Sequence, residues 1–131
     1  MNLVLAAILA AFALTAWLLL PKTAPPSEPR DDAPLTESTV IISVGGEEKM
    51  RVPLSRPQTV TVTQPGGEEN VIVVTENGAY MASSTCHNQI CVHSGHVTID
   101  NCDYRPDGPF IICLPNRVTL ELVVLAQNDA N

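Results

Sequence analysis

Positive charge is scarce in this sequence. Seven Lys and Arg stand against 14 Asp and Glu, a formal net charge of -7, and all of it lies after residue 20. Such a balance keeps a domain soluble and repels polyphosphate backbones, so no nucleic-acid partner is expected. The chain contains no C-x2-C pair, which removes the commonest zinc and dithiol spacings. Its Gly-Gly pairs, Gly45-Gly46 and Gly66-Gly67, are two-residue turns with no helix behind them, so they form no phosphate cradle. No helix-length amphipathic run occurs beyond residue 20, which leaves an all-β domain.

What the sequence does have begins with an apolar head. Residues 3–20, LVLAAILAAFALTAWLLL, contain Thr15 as their one polar residue. At 1.5 Å per residue this segment spans about 27 Å, close to a bilayer's hydrocarbon core. Trp17 suits the interface, Pro21 ends the helix and Lys22 meets water. The small-x-small cleavage pattern is poor here, and no cysteine near the end suits lipid attachment. Residues 1–20 are therefore expected to be an uncleaved transmembrane signal anchor. Lys22 and Arg30 follow the helix and no basic residue precedes it, which taken literally favours a cytoplasmic domain. The far N-terminal position of the anchor and four cysteines in a small domain argue for the extracytoplasmic side of the cell membrane, which is the expectation adopted.

Residues 21–37, PKTAPPSEPRDDAPLTE, carry five prolines and few apolar groups. They form a semi-extended linker that could lift a domain up to roughly 50 Å from the lipid.

From residue 38 to 127 the pattern turns to short β runs. Ser38–Val44 and Glu48–Pro53 flank Gly45-Gly46, a hairpin. Gln58–Gln64 alternates, with Val60 and Val62 on one face and threonines on the other, as in an antiparallel sheet with one wet side. Asn70–Thr75 and Ala79–Ser83 flank Asn77-Gly78, which predicts a type I′ turn. Asp107-Gly108 and Pro115-Asn116 predict further reversals, and Phe110–Leu114 enters the core. Arg117–Leu125 is the last strand, with Val118, Leu120, Leu122 and Val124 on one face. The architecture expected is a small antiparallel sandwich or barrel.

The stretch Cys86–Leu122 holds all four cysteines and all three histidines. Its pieces CHNQICVHSG and CLPNRVTLEL resemble the NusG domain II family, whose members share a pattern like C-x4-C-V-x-x-G followed by C-L-P-N and a β-rich tail. The resemblance covers about residues 38–125 and implies a compact β domain. Many members are small proteins with one N-terminal membrane segment and no transcription-factor domain, so a polymerase-binding role is not implied. The insert Thr98–Pro109, with Cys102, is longer than the family's usual spacer.

The cysteines are expected to form two disulfides, Cys86–Cys91 and Cys102–Cys113, each joining sequence neighbours across a turn. Closing the second loop would contribute around 3 kcal/mol on the loop-entropy account. The alternative is a metal-binding or thiol-redox domain. Cys86, His87, Cys91, His93 and His96 offer soft ligands for zinc or copper, at spacings that match zinc sites only loosely. A catalytic Cys91 with His93 or His96, oriented by Asp100 or Asp103, has no spacing that demands it. The functional expectation is a non-enzymatic interaction or accessory module. It would have no catalytic, cofactor-binding or metal-ligating residues, one membrane helix and a protein partner whose identity the sequence does not give.

Overall fold

The computed structural model describes residues 34–126, so the expected anchor at 1–20 and most of the linker lie outside the described residues. Among the described residues no helix is long and apolar enough to cross a membrane.

Eight strands and one helical turn follow in order: β1 (Thr39–Val44), β2 (Glu47–Pro53), β3 (Gln58–Thr63), β4 (Glu69–Thr75), β5 (Gly78–Ser84), α1 (Ile90–His93), β6 (His96–Thr98), β7 (Phe110–Cys113) and β8 (Val118–Val123). They make two four-stranded sheets, ordered β2-β1-β8-β7 and β3-β4-β5-β6. Every pairing is antiparallel. The buried faces of both sheets supply one core cluster, so the domain is a sandwich.

Period-two alternation decides which side chains enter that core. Val40 and Ile42 of β1, Ile111 of β7 and Val118 and Leu120 of β8 are wholly buried from one sheet. Ile72, Met81 and Val97 meet them from the other, each about 1.5–3 kcal/mol better buried than exposed. The first sheet is joined at its centre by a pairing between the two ends of the domain, Thr39 with Val123 and Val44 with Val118.

The turns follow local chemistry with one displacement. Gly45 and Gly46 have φ of 61° and 83°, as the two central positions of a type I′ turn require, and Gly45 N–H donates to Arg117 O at 2.8 Å. The β4–β5 hairpin is shifted by one residue from its expected centre. Thr75 pairs with Gly78, so Glu76 and Asn77 make the turn, and neither has positive φ. Gly78 serves close approach instead: a Cβ there would lie 2.0 Å from Val97 O, where β6 crosses. Two apolar residues also depart from the expected pattern. Leu114 is 78% exposed, because Cys113 is the last inward residue of β7, and Val124 lies beyond β8 with 38% exposure.

The insert Thr98–Pro109 is a chain of turns pinned to the second sheet. Arg105 Nη1 donates to Ser94 O and His96 O at 3.1 and 2.7 Å. Asn101 Oδ1 accepts from Thr98 N–H, and its amide donates to His96 O.

Candidate functional site

Three cysteines meet where β5 ends, α1 begins and β7 ends. Cys86 leaves β5 two residues after Ser84. Gln89 then takes φ 55° and turns the chain into α1, whose Cys91 faces inward. The Gln89 amide holds this bend by donating to Ser84 O and Cys86 O at 2.7 and 2.6 Å. Asn88 Oδ1 accepts from Ile90 N–H, a local turn that polar Asn favours. Cys113 arrives from the opposite sheet. The sulfurs of Cys86 and Cys91 are 3.7 Å apart, and all three sulfurs lie within 4.8 Å of one another. All three residues are buried, at 5%, 1% and 1% exposure.

A polar network surrounds the thiols. Ser84 Oγ accepts from Cys86 N–H and from the Asn70 amide, both at 3.1 Å. The Asn116 amide also donates to Ser84 Oγ at 3.3 Å, and the same oxygen lies 3.5 Å from Cys113 Sγ. Asn116, in the turn between β7 and β8, donates to Asn70 Oδ1 at 2.8 Å and to Thr85 Oγ1 at 3.2 Å. Its carbonyl accepts from the Gln64 amide at 2.7 Å.

These contacts separate the thiols electrostatically. Burial pushes the Cys91 thiol up to about 12, with further upward pushes from Cys113 and Cys86. Burial also pushes Cys113 upward, but donors at Ser84, Asn70 and the Asn116 backbone outweigh it and hold Cys113 below its ordinary value. The two thiols are thus pushed in opposite directions.

Of the two disulfides expected of the cysteines, Cys86–Cys91 joins residues that are neighbours here, whereas Cys102–Cys113 joins residues that do not meet. All four are free thiols. Cys113 stands with Cys86 and Cys91, whereas Cys102 does not join them; its sulfur faces Ile99 O at 3.6 Å and Asp103 Oδ1 at 3.9 Å. The insert carries Cys102 along its own turn, away from the end of β7. His87, His93 and His96 are exposed and contribute no ligand atom to the cluster. His96 instead stacks on Tyr80, with ring centroids 4.1 Å apart. Asp100 accepts from the Asn77 amide at 3.0 Å.

Asn70, Ser84 and Asn116 escaped the sequence reading. One signal was available: Asn70 occupies the inward register of β4 with Ile72 and Val74, and a polar residue there needs a buried partner.

The NusG domain II family matches residues 3–124. No curated protein matches the chain. Among solved structures, a DUF1312 family protein from Enterococcus faecalis is 17% identical with a TM-score of 0.56, over 66% of this chain and 97% of that one. The Lin0431 protein from Listeria innocua is 23% identical with a TM-score of 0.56, over 70% of this chain and 99% of that one. At these identities the likeness is one of fold.

Proposed function

The chain belongs to the NusG domain II family, and from that premise we propose that it is a membrane-anchored, extracytoplasmic β domain acting as a non-enzymatic interaction module. The family match begins at residue 3, so the apolar segment falls within the span shared with the family. Its 18 residues at about 27 Å suit a single crossing. The Pro-rich composition of residues 21–37 suits a semi-extended linker. The burial of Cys91 and the exposure of His93 and His96 support the non-enzymatic reading.

The observation that carries the interaction role is a pair of open edges. β2 ends one sheet and β3 ends the other. A groove of about 380 Å³ runs between them, lined by Val44, Met50, Val60 and Val62 among others. A partner strand laid along β3 would satisfy its unpaired backbone groups and seat alternate side chains in the groove. Until then the exposed Gln58, Thr59, Thr61 and Thr63 keep the edge polar.

A photo-crosslinking residue at Thr61 in the full-length protein tests this in membranes. The expected result is a discrete protein adduct from Thr61 and none from Arg56, in the exposed turn before β3. Equal capture from both positions, or none from Thr61, would sink the edge. Labelling Lys22 of intact cells with an impermeant amine reagent tests the side of the membrane: reaction before lysis is expected, and reaction only after lysis overturns it.

A further inference from the structure

The three-thiol cluster has no part in edge recognition, yet it is the densest chemistry in the domain. Its geometry resembles a ligand set more than a disulfide. Sulfurs bound to one ion at about 2.3 Å lie ~3.8–4.0 Å apart, whereas a disulfide brings them to about 2.05 Å. Cys86 and Cys91 already stand 3.7 Å apart, and the whole set lies within 4.8 Å. Cys113 completes a triangle from the opposite sheet, so the site exists only in the folded sandwich.

The donor set selects the ion. Among the described residues no histidine or carboxylate joins the three sulfurs. Structural zinc is almost always four-coordinate. Soft thiolates favour monovalent copper, a d10 ion that accepts three ligands. Burial of all three cysteines leaves little room for water as a fourth ligand. The surroundings also suit negative sulfur: the Ser84 hydroxyl lies 3.5 Å from Cys113 Sγ, and the Gln89 amide lies 3.8 Å from Cys86 Sγ. Such outer partners orient and tune thiolate ligands.

We propose that Cys86, Cys91 and Cys113 form a three-coordinate thiolate site for one copper(I) ion. Cys102 and the three histidines take no part. A Cys86–Cys91 disulfide would consume two of the three donors, so copper(I) binds only with all three thiols reduced.

The test uses the full-length protein in detergent, reduced and without oxygen, titrated with copper(I) against a chromophoric copper(I) chelator. One equivalent should bind. Cys86→Ser, Cys91→Ser and Cys113→Ser should each weaken binding by at least ~10-fold, as removing a ligand costs no less than removing its support. Cys102→Ser and His93→Ala should bind as the parent does. X-ray absorption of the copper-loaded parent should give three sulfur neighbours and no nitrogen, a readout that stands even where a Cys→Ser variant fails to fold. Parent-like binding by a folded Cys113→Ser variant, a nitrogen neighbour, or displacement of copper(I) by equimolar zinc would each overturn the proposal.

Discussion

The Asn116 carboxamide donates to Asn70 Oδ1 across 2.8 Å. That bond ties the β7–β8 turn of one sheet to β4 of the other, with both residues buried. Asn70 in turn donates to Ser84 Oγ, which faces Cys113, so the bond between the sheets and the thiol cluster are one network.

Asn116→Ala leaves the buried Asn70 oxygen without its donor. The expected loss is about 1–3 kcal/mol. Leu114→Ala, two residues earlier and 78% exposed, should stay within about 0.5 kcal/mol of the parent. Urea midpoints at constant slope check both; equal effects would mean that the carboxamide link is not what holds the turn.

Gly78 admits no side chain. A Cβ would meet Val97 O at 2.0 Å and Thr98 Cα at 2.8 Å, backbone atoms that cannot swing aside. Gly78→Ala should cost roughly 1–3 kcal/mol or more and abolish amide-exchange protection in β6. At Gly66 the nearest atoms belong to the flexible Glu68 carboxylate, so Gly66→Ala should leave β6 protected.

Neighbouring residues of β7 should respond in opposite ways. Ile111 is fully buried and Ile112 is 41% exposed. Ile111→Ala is expected to cost about 2–5 kcal/mol, and Ile112→Ala much less. Thermal melts of the two variants report the strand's alternation directly.

The thiols give the reduced, metal-free protein a signed pH dependence. Folded Cys91 keeps its proton from its ordinary 9.0 up to about 12, while the unfolded chain loses it, so this contribution is full below pH 9 and falls as pH rises towards 12. Cys113 acts in the other direction: held below its ordinary value, it contributes stability above pH 9 that is lost as pH falls through its folded value. Cys91→Ser should flatten the alkaline decline in urea midpoint relative to the parent, and an unchanged decline would refute this assignment.

The strands were legible because their information is local. Alternation in QTVTVT and VTLELV marks the inward faces, and Gly45-Gly46 marks its hairpin by the positive φ values both positions adopt. Where two readings compete locally, the wider structure chose. Asn77-Gly78 looks like a turn pair, but β6 packs so closely on Gly78 that the glycine is needed in the strand and the turn moves back to Glu76-Asn77.

By itself, then, the chain determined a β domain, most of its strand faces and the segment in which its chemistry lies. Tertiary structure decided which thiols meet. Cys102 is the nearer cysteine to Cys113 in sequence, yet the insert's turns hold it outside the cluster. Cys113 instead crosses from one sheet to Cys86 and Cys91 beside the other, and Asn70 and Asn116 meet across 46 positions. Such neighbours are created by stacking two sheets on a common core, a relation between distant segments that no local periodicity records.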